Sequence, residues 1–136
     1  MSAFSDYAET LILNLLRNQN VTAPTTVYVG LASSATDDAQ TGATVPELAN
    51  ANGYARQAIT FSAPSGGTDN TISNASAINF TATADWATAT HFFIVDSATH
   101  GAGNMWLHAA LTGGPVTVLS GQTRQFPVGS LKVIVA

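Results

Sequence analysis

From residue 25 onward the chain is written in periods of two. TTVYVGLAS (25–33) is rich in β-branched and aromatic residues, which suit a pleated, half-buried surface. Comparable stretches follow at 53–62, 76–83, 86–97, 104–112, 122–126 and 129–135, with a shorter piece at 116–119. Turns separate them: APSGGTDN, ATHGAGN and the GG before Pro115. Short strands at this spacing, with no helical pattern between them, argue against a parallel α/β sheet. They predict a mainly β fold, an antiparallel β-sandwich of jelly-roll-like type. No repeat unit of roughly 20–50 residues recurs, which argues against a solenoid. At 136 residues, one domain spanning 1–136 can bury a core without staples.

The first segment departs from this pattern. Phe4, Tyr7, Ala8, Leu11, Ile12, Leu15 and Leu16 recur along one stripe, predicting an amphipathic helix over about 4–18. Ser2 or Ser5 can cap its start, Asp6 and Glu9 favour the positive end of its dipole, and Arg17 favours the other. The stripe has to be covered, either by the chain's own sheet or by another subunit. Acidic residues precede the apolar ones, and neither a basic leader nor a small-residue cleavage site accompanies them, so the segment does not read as a signal peptide. Polar residues interrupt it too often for a membrane span.

Alternation assigns faces to the strands. In WATATHFFIVD (86–96) both faces turn apolar toward the end, as in a strand buried on both sides, in the middle of a sheet or under the helix. In NGYARQAITF (52–61), Ile59 and Phe61 take the core side with Ala55 and Gln57. Tyr54 and Arg56 then point together to the other face, toward water or a partner. Between these strands lies SATDDAQTGATVPELANAN (34–52), polar and turn-rich, read as a long exposed loop with one helical turn at PELAN. Loops of that length are commonly functional. As a contact arm it supplies Asp37, Asp38 and Glu47, which with Tyr54 and Arg56 form the candidate interface. For Arg56 the alternative is an ion pair inside the chain, with Asp96 or Asp85.

Charged residues make up only 9% of the sequence, against about 25% in ordinary soluble proteins. Thr, Ser, Asn, Gln and Ala replace them, giving a wettable surface that is cheap to desolvate when a partner docks. The net charge of −4 and the four scattered basic residues, Arg17, Arg56, Arg124 and Lys132, argue against a phosphate-binding face, and no nucleic-acid partner is expected. The C-terminal GSLKVIVA reads as a tied-down strand.

Chemistry finds little purchase. Without cysteine, thiolate nucleophiles, disulfides and cysteine metal sites fall away. His91, His100 and His108 lack metal-ligand spacing, although His91 and His108 can face each other across paired strands. Neither a GxSxG elbow nor a GxxxxGK[ST] loop occurs, and the paired carboxylates Asp37 and Asp38 read as solvated loop charge. No catalytic residue, cofactor, metal or small-molecule substrate is expected. A glycan platform built from Trp86, Trp106 and Tyr54 is the one binding alternative, and two aromatics exposed side by side would mark it.

The segments LLRN, TTVYVGLAS, NGYARQAITFSAP, INFTATADWATATHFFIVD and FPVGSLKVIVA, in this order, resemble a family of small tailed-bacteriophage virion proteins. Its members are often labelled tail-fibre proteins, and similar small β-sandwiches serve as capsid decoration, or cement, proteins. The resemblance implies a non-enzymatic structural protein made in the host cytoplasm. It further implies a place on the outer capsid surface of the virion, where a homotrimer binds the major capsid protein and copies of itself. A tail or tail-fibre component is the alternative, and a glycan-binding host-attachment module the next. The loop at 34–52 is longer than in the family pattern because of VPELANAN.

Overall fold

A computed structural model describes residues 3–135. Ten elements follow one another: β1 (Ala3–Phe4), α1 (Asp6–Leu16), β2 (Val27–Ala32), β3 (Gln57–Ile59), β4 (Asn70–Ser73), β5 (Ile78–Thr81), β6 (His91–Val95), β7 (Met105–Ala110), β8 (Thr123–Phe126) and β9 (Lys132–Val135). The fold is mainly β and antiparallel throughout, with one helix near its start. Five strands form a sheet in the order β1-β7-β6-β2-β3, and two ribbons, β4-β9 and β5-β8, stand apart from it.

The core lies between the sheet and the ribbons. Val29, Leu31, Ile59, Phe92, Ile94 and Leu107 from the sheet meet Ile78, Phe80, Phe126 and Val133 from the ribbons. Each fully buried Leu, Ile or Phe there contributes about 1.5–3 kcal/mol of apolar burial, and this sandwich-like contact holds the two layers together. Tyr54, Phe80, Trp86 and Phe126 add offset-stacked and edge-on ring contacts. Trp86 and Tyr54 are therefore core residues, not a sugar platform.

The central strand of the sheet is β6, flanked by β2 and β7, which answers to its two apolar faces. Its second face carries a smaller cluster, Phe93 and Val95 with Ala32, Met105 and Val45. Phe93 lies across Gly30: a Cβ at Gly30 would fall 2.3 Å from the tip of the Phe93 ring. Val45 of the segment 34–52 packs into this cluster, and the Arg56 guanidinium lies over the Phe93 ring at 5.5 Å.

Several boundaries move. The helix is shorter than the stripe implied, and Ser5 caps it, accepting a hydrogen bond from the Ala8 amide at 3.2 Å; Ser2 lies outside the described residues. The stretch 53–62 contains only three residues of strand, because the chain up to Arg56 turns in to meet the loop. The expected turn at PELAN is no helix; Glu47 instead bridges Ala32 antiparallel. Residues 86–90 form a single bridge, Ala89 to Val116, before β6 begins. β1 and β4 had no counterpart among the predicted strands.

Candidate functional site

The candidate interface residues separate into an interior group and a surface group. Arg56 and Glu47 have side chains 0% and 3% exposed, 2.8 Å apart. Arg56 donates from Nε to Glu47 Oε1 (2.9 Å) and from Nη2 to Glu47 Oε2 (2.8 Å), a bidentate pair. Its remaining donors reach the carbonyls of Ser97, Ala102 and Gly42 at 2.8–3.0 Å. All five donors of the guanidinium are thus used. Tyr54 is also buried: its hydroxyl donates to Glu47 Oε1 at 2.8 Å and accepts from the Leu31 amide at 3.0 Å.

Arg56 and Tyr54 therefore do not point to water or to a partner, as strict alternation through 52–61 required. The ion pair is intrachain, but with Glu47, not with Asp96 or Asp85. Nor is 34–52 a free arm: Val45 and Leu48 are buried, and Arg56 ties the loop to the turn after β6. Gly42 passes so close to that turn that a Cβ there would sit 2.0 Å from the Ala102 carbonyl oxygen. Asp85 Oδ1 accepts from the Ser120 amide at 2.8 Å.

Of the surface group, Asp37 caps its own turn, accepting from the Ala39 amide at 3.0 Å. Asp38 accepts from His108 Nε2 at 2.8 Å, while Thr36 Oγ1 shares a 2.8 Å hydrogen bond with Nδ1 of the same ring. The order hydroxyl, imidazole, carboxylate is that of a hydrolytic triad. The burial is inverted, however: the imidazole is 9% exposed and the carboxylate 53%, whereas a triad needs a buried acid to hold an accessible base. This trio clamps the loop to β7. His91 lies opposite Ala110, and His108 opposite Phe93, so the two histidines do not face each other. Among the described residues no three His, Asp or Glu side chains converge to hold a metal.

Two surfaces stand out that the predicted interface did not include. The first is the far end of α1. Within the helix only Ala8 is buried, while Ile12, Leu13, Leu15 and Leu16 are 41%, 60%, 57% and 78% exposed. These four adjoin at spacings of three and four, so they form one continuous apolar patch. The expected burial of the stripe against the sheet is confined to the first turns. No helix of the described residues is long and apolar enough to cross a membrane.

The second is a cleft of about 650 Å³ where the start of α1, the segment 22–26 and the end of β6 meet, lined by Tyr7, Tyr28, Trp106 and Asp96. The Tyr7 ring stands edge-on to Trp106 at 5.5 Å and 82°. Trp106 Nε1 donates to Asp96 Oδ2 at 3.4 Å, and the same carboxylate accepts from the amide and side chain of Asn104 at 2.7 and 3.0 Å. On its other side Trp106 borders an apolar groove of about 420 Å³, shared with Phe4, Phe61, Ile72 and Val133. Trp106 was a visible candidate in the sequence. Its partner Tyr7 was not, because it was read as part of the helical stripe, to be covered by the sheet or by another subunit.

No curated protein matches the chain. A family described as Podophage GP4 fiber I protein gp80 matches residues 3–134, nearly the whole length. The chain belongs to this family of phage fibre proteins and is thereby a structural protein of a bacteriophage virion.

Proposed function

We propose that the chain is a non-enzymatic building block of a virion fibre, held in place by packing the apolar end of α1 against copies of itself. That helix end carries the reading. Four adjoining aliphatic side chains left in water make a patch of the kind that marks an interaction surface on soluble proteins. In a symmetric assembly the same patch is covered on every copy at once. Low surface charge supports this, since few ions lose water at the contact. Membership in a fibre family favours this placement over the outer capsid surface, where contacts to the major capsid protein would stabilise the assembled shell by mass action.

Immunogold labelling of intact particles with antibody to this chain tests the placement. Gold along the fibres is the expected result. Gold spread over the capsid faces, with added protein raising the heat resistance of undecorated shells, would return the chain to capsid decoration.

A further inference from the structure

We infer that the cleft between Tyr7, Tyr28, Trp106 and Asp96 is a binding site for a neutral saccharide. Its volume of about 650 Å³ falls within the roughly 300–1,000 Å³ of small-molecule sites. The lining pairs aromatic faces with oxygen ligands. Tyr7, Tyr28 and Trp106 offer ring surface, Thr22, Thr25, Thr26 and Ser97 offer hydroxyls, and Asp96 offers a carboxylate. A sugar ring is the complement of such a wall: its C–H face packs on an aromatic ring while its hydroxyls donate to the carboxylate and exchange hydrogen bonds with Thr and Ser.

Preorganisation separates this cleft from a chance cluster of aromatics. Trp106 is fixed by its hydrogen bond to Asp96 and by the edge of Tyr7, and Asp96 is fixed by two hydrogen bonds from Asn104. Rings and carboxylate already held in place lose little freedom when a ligand arrives. Asp96 Oδ1, which accepts only from the Asn104 amide, keeps acceptor capacity for a ligand hydroxyl, and the residue is only part-buried. The platform expected from sequence, two aromatics exposed side by side, is met only in part and at a different pair: Tyr7 is exposed, whereas Trp106 is part-buried and the two rings stand edge-on.

The charge of the site selects among saccharides. Among the described residues Asp96 is the one charged side chain lining the cleft, and neither Lys nor Arg joins it, so sulfated sugars and uronic acids meet repulsion from it. Neutral hexoses and N-acetylated sugars are the class that fits. A single such site binds weakly, and copies repeated along a virion add by multivalency. The inference goes beyond the fibre assignment and stands wherever on the particle the chain sits.

The isolated protein, screened on an array of neutral and sulfated or uronic oligosaccharides, is expected to bind neutral members only. The neutral glycans that score are then titrated while tryptophan fluorescence is followed. Of the two tryptophans, Trp86 is 8% exposed in the core, so a saturable change reports Trp106 and disappears in Trp106→Phe. Removing one ring contact in Tyr7→Ala is expected to weaken binding roughly three- to tenfold. Tyr7 is 37% exposed, so this variant keeps the test valid even if Trp106→Phe melts early. Binding to no neutral glycan, preference for acidic glycans, or unchanged affinity in folded Tyr7→Ala would each overturn the inference. None of these results bears on where immunogold places the chain.

Discussion

Arg56 is the residue on which the loop's position turns. A lone arginine near a strand looks like a surface feature, yet here it is a buried strut whose five donors are all occupied. Removing one partner of a buried pair leaves the other charged and unpaired, which costs about 3–5 kcal/mol. Arg56→Ala is accordingly expected to lower unfolding free energy by about that amount in urea titrations. Arg56→Lys should recover little, because an ammonium cannot make the bidentate pair. Tyr54 sets a limit at high pH. Burial first, and then the charge of Glu47, push its ionisation well above the ordinary value of 10.0. Above pH ~10 the unfolded chain releases this proton while the folded chain keeps it, so stability falls with rising pH by ~1.4 kcal/mol per unit. Urea midpoints followed from about pH 9 to 12 should show that decline, and Tyr54→Phe should flatten it, at a cost in stability at neutral pH because the Leu31 amide loses its partner.

At the scale of elements, the helix was legible and its environment was not. Period, acidic first turn and cap candidates all lie within a few residues of one another, so the sequence contains them. Ser5 does more than cap: it is fully buried and also donates to the Met105 carbonyl, 100 residues away. Ser5→Ala is expected to cost about 1–2 kcal/mol, read as a lower melting temperature with the helical circular dichroism signal retained. Strand β4 was missed because its residues, NTIS, follow a Gly-rich turn and carry a single large apolar side chain. Its pairing with β9, not its own composition, makes it a strand. The loop 34–52 misled for the related reason that a polar segment can be fixed by one buried salt bridge and two apolar anchors, Val45 and Leu48.

At the scale of the whole molecule, what matters is which apolar surface the fold consumes and which it leaves. The sheet and ribbons use the β residues on one another, and Val45 of the loop with Arg56 packs on the second face, while the end of α1 stays uncovered by the fold. Leu13→Gln with Leu16→Gln is expected to leave folding stability within about 1 kcal/mol, as for exposed positions, while abolishing self-association measured by light scattering. A monomeric wild type, or an unchanged oligomer in the double variant, would remove the helix from the assembly contact. Folding itself should take milliseconds to seconds, since β1 pairs with β7, β4 with β9 and β5 with β8, all distant in sequence.

The amino-acid order alone determined the mainly β class, the N-terminal helix, the doubly buried central strand and the resemblance to phage virion proteins. These rest on periodicities and segments that a few neighbouring residues carry between them. Only the tertiary structure decided that Arg56 faces inward to Glu47, that the helix end stays in water, and that Tyr7 meets Trp106 beside Asp96. Each of those outcomes depends on which distant surfaces meet, and a periodicity gives the face of a residue without naming what will lie against it.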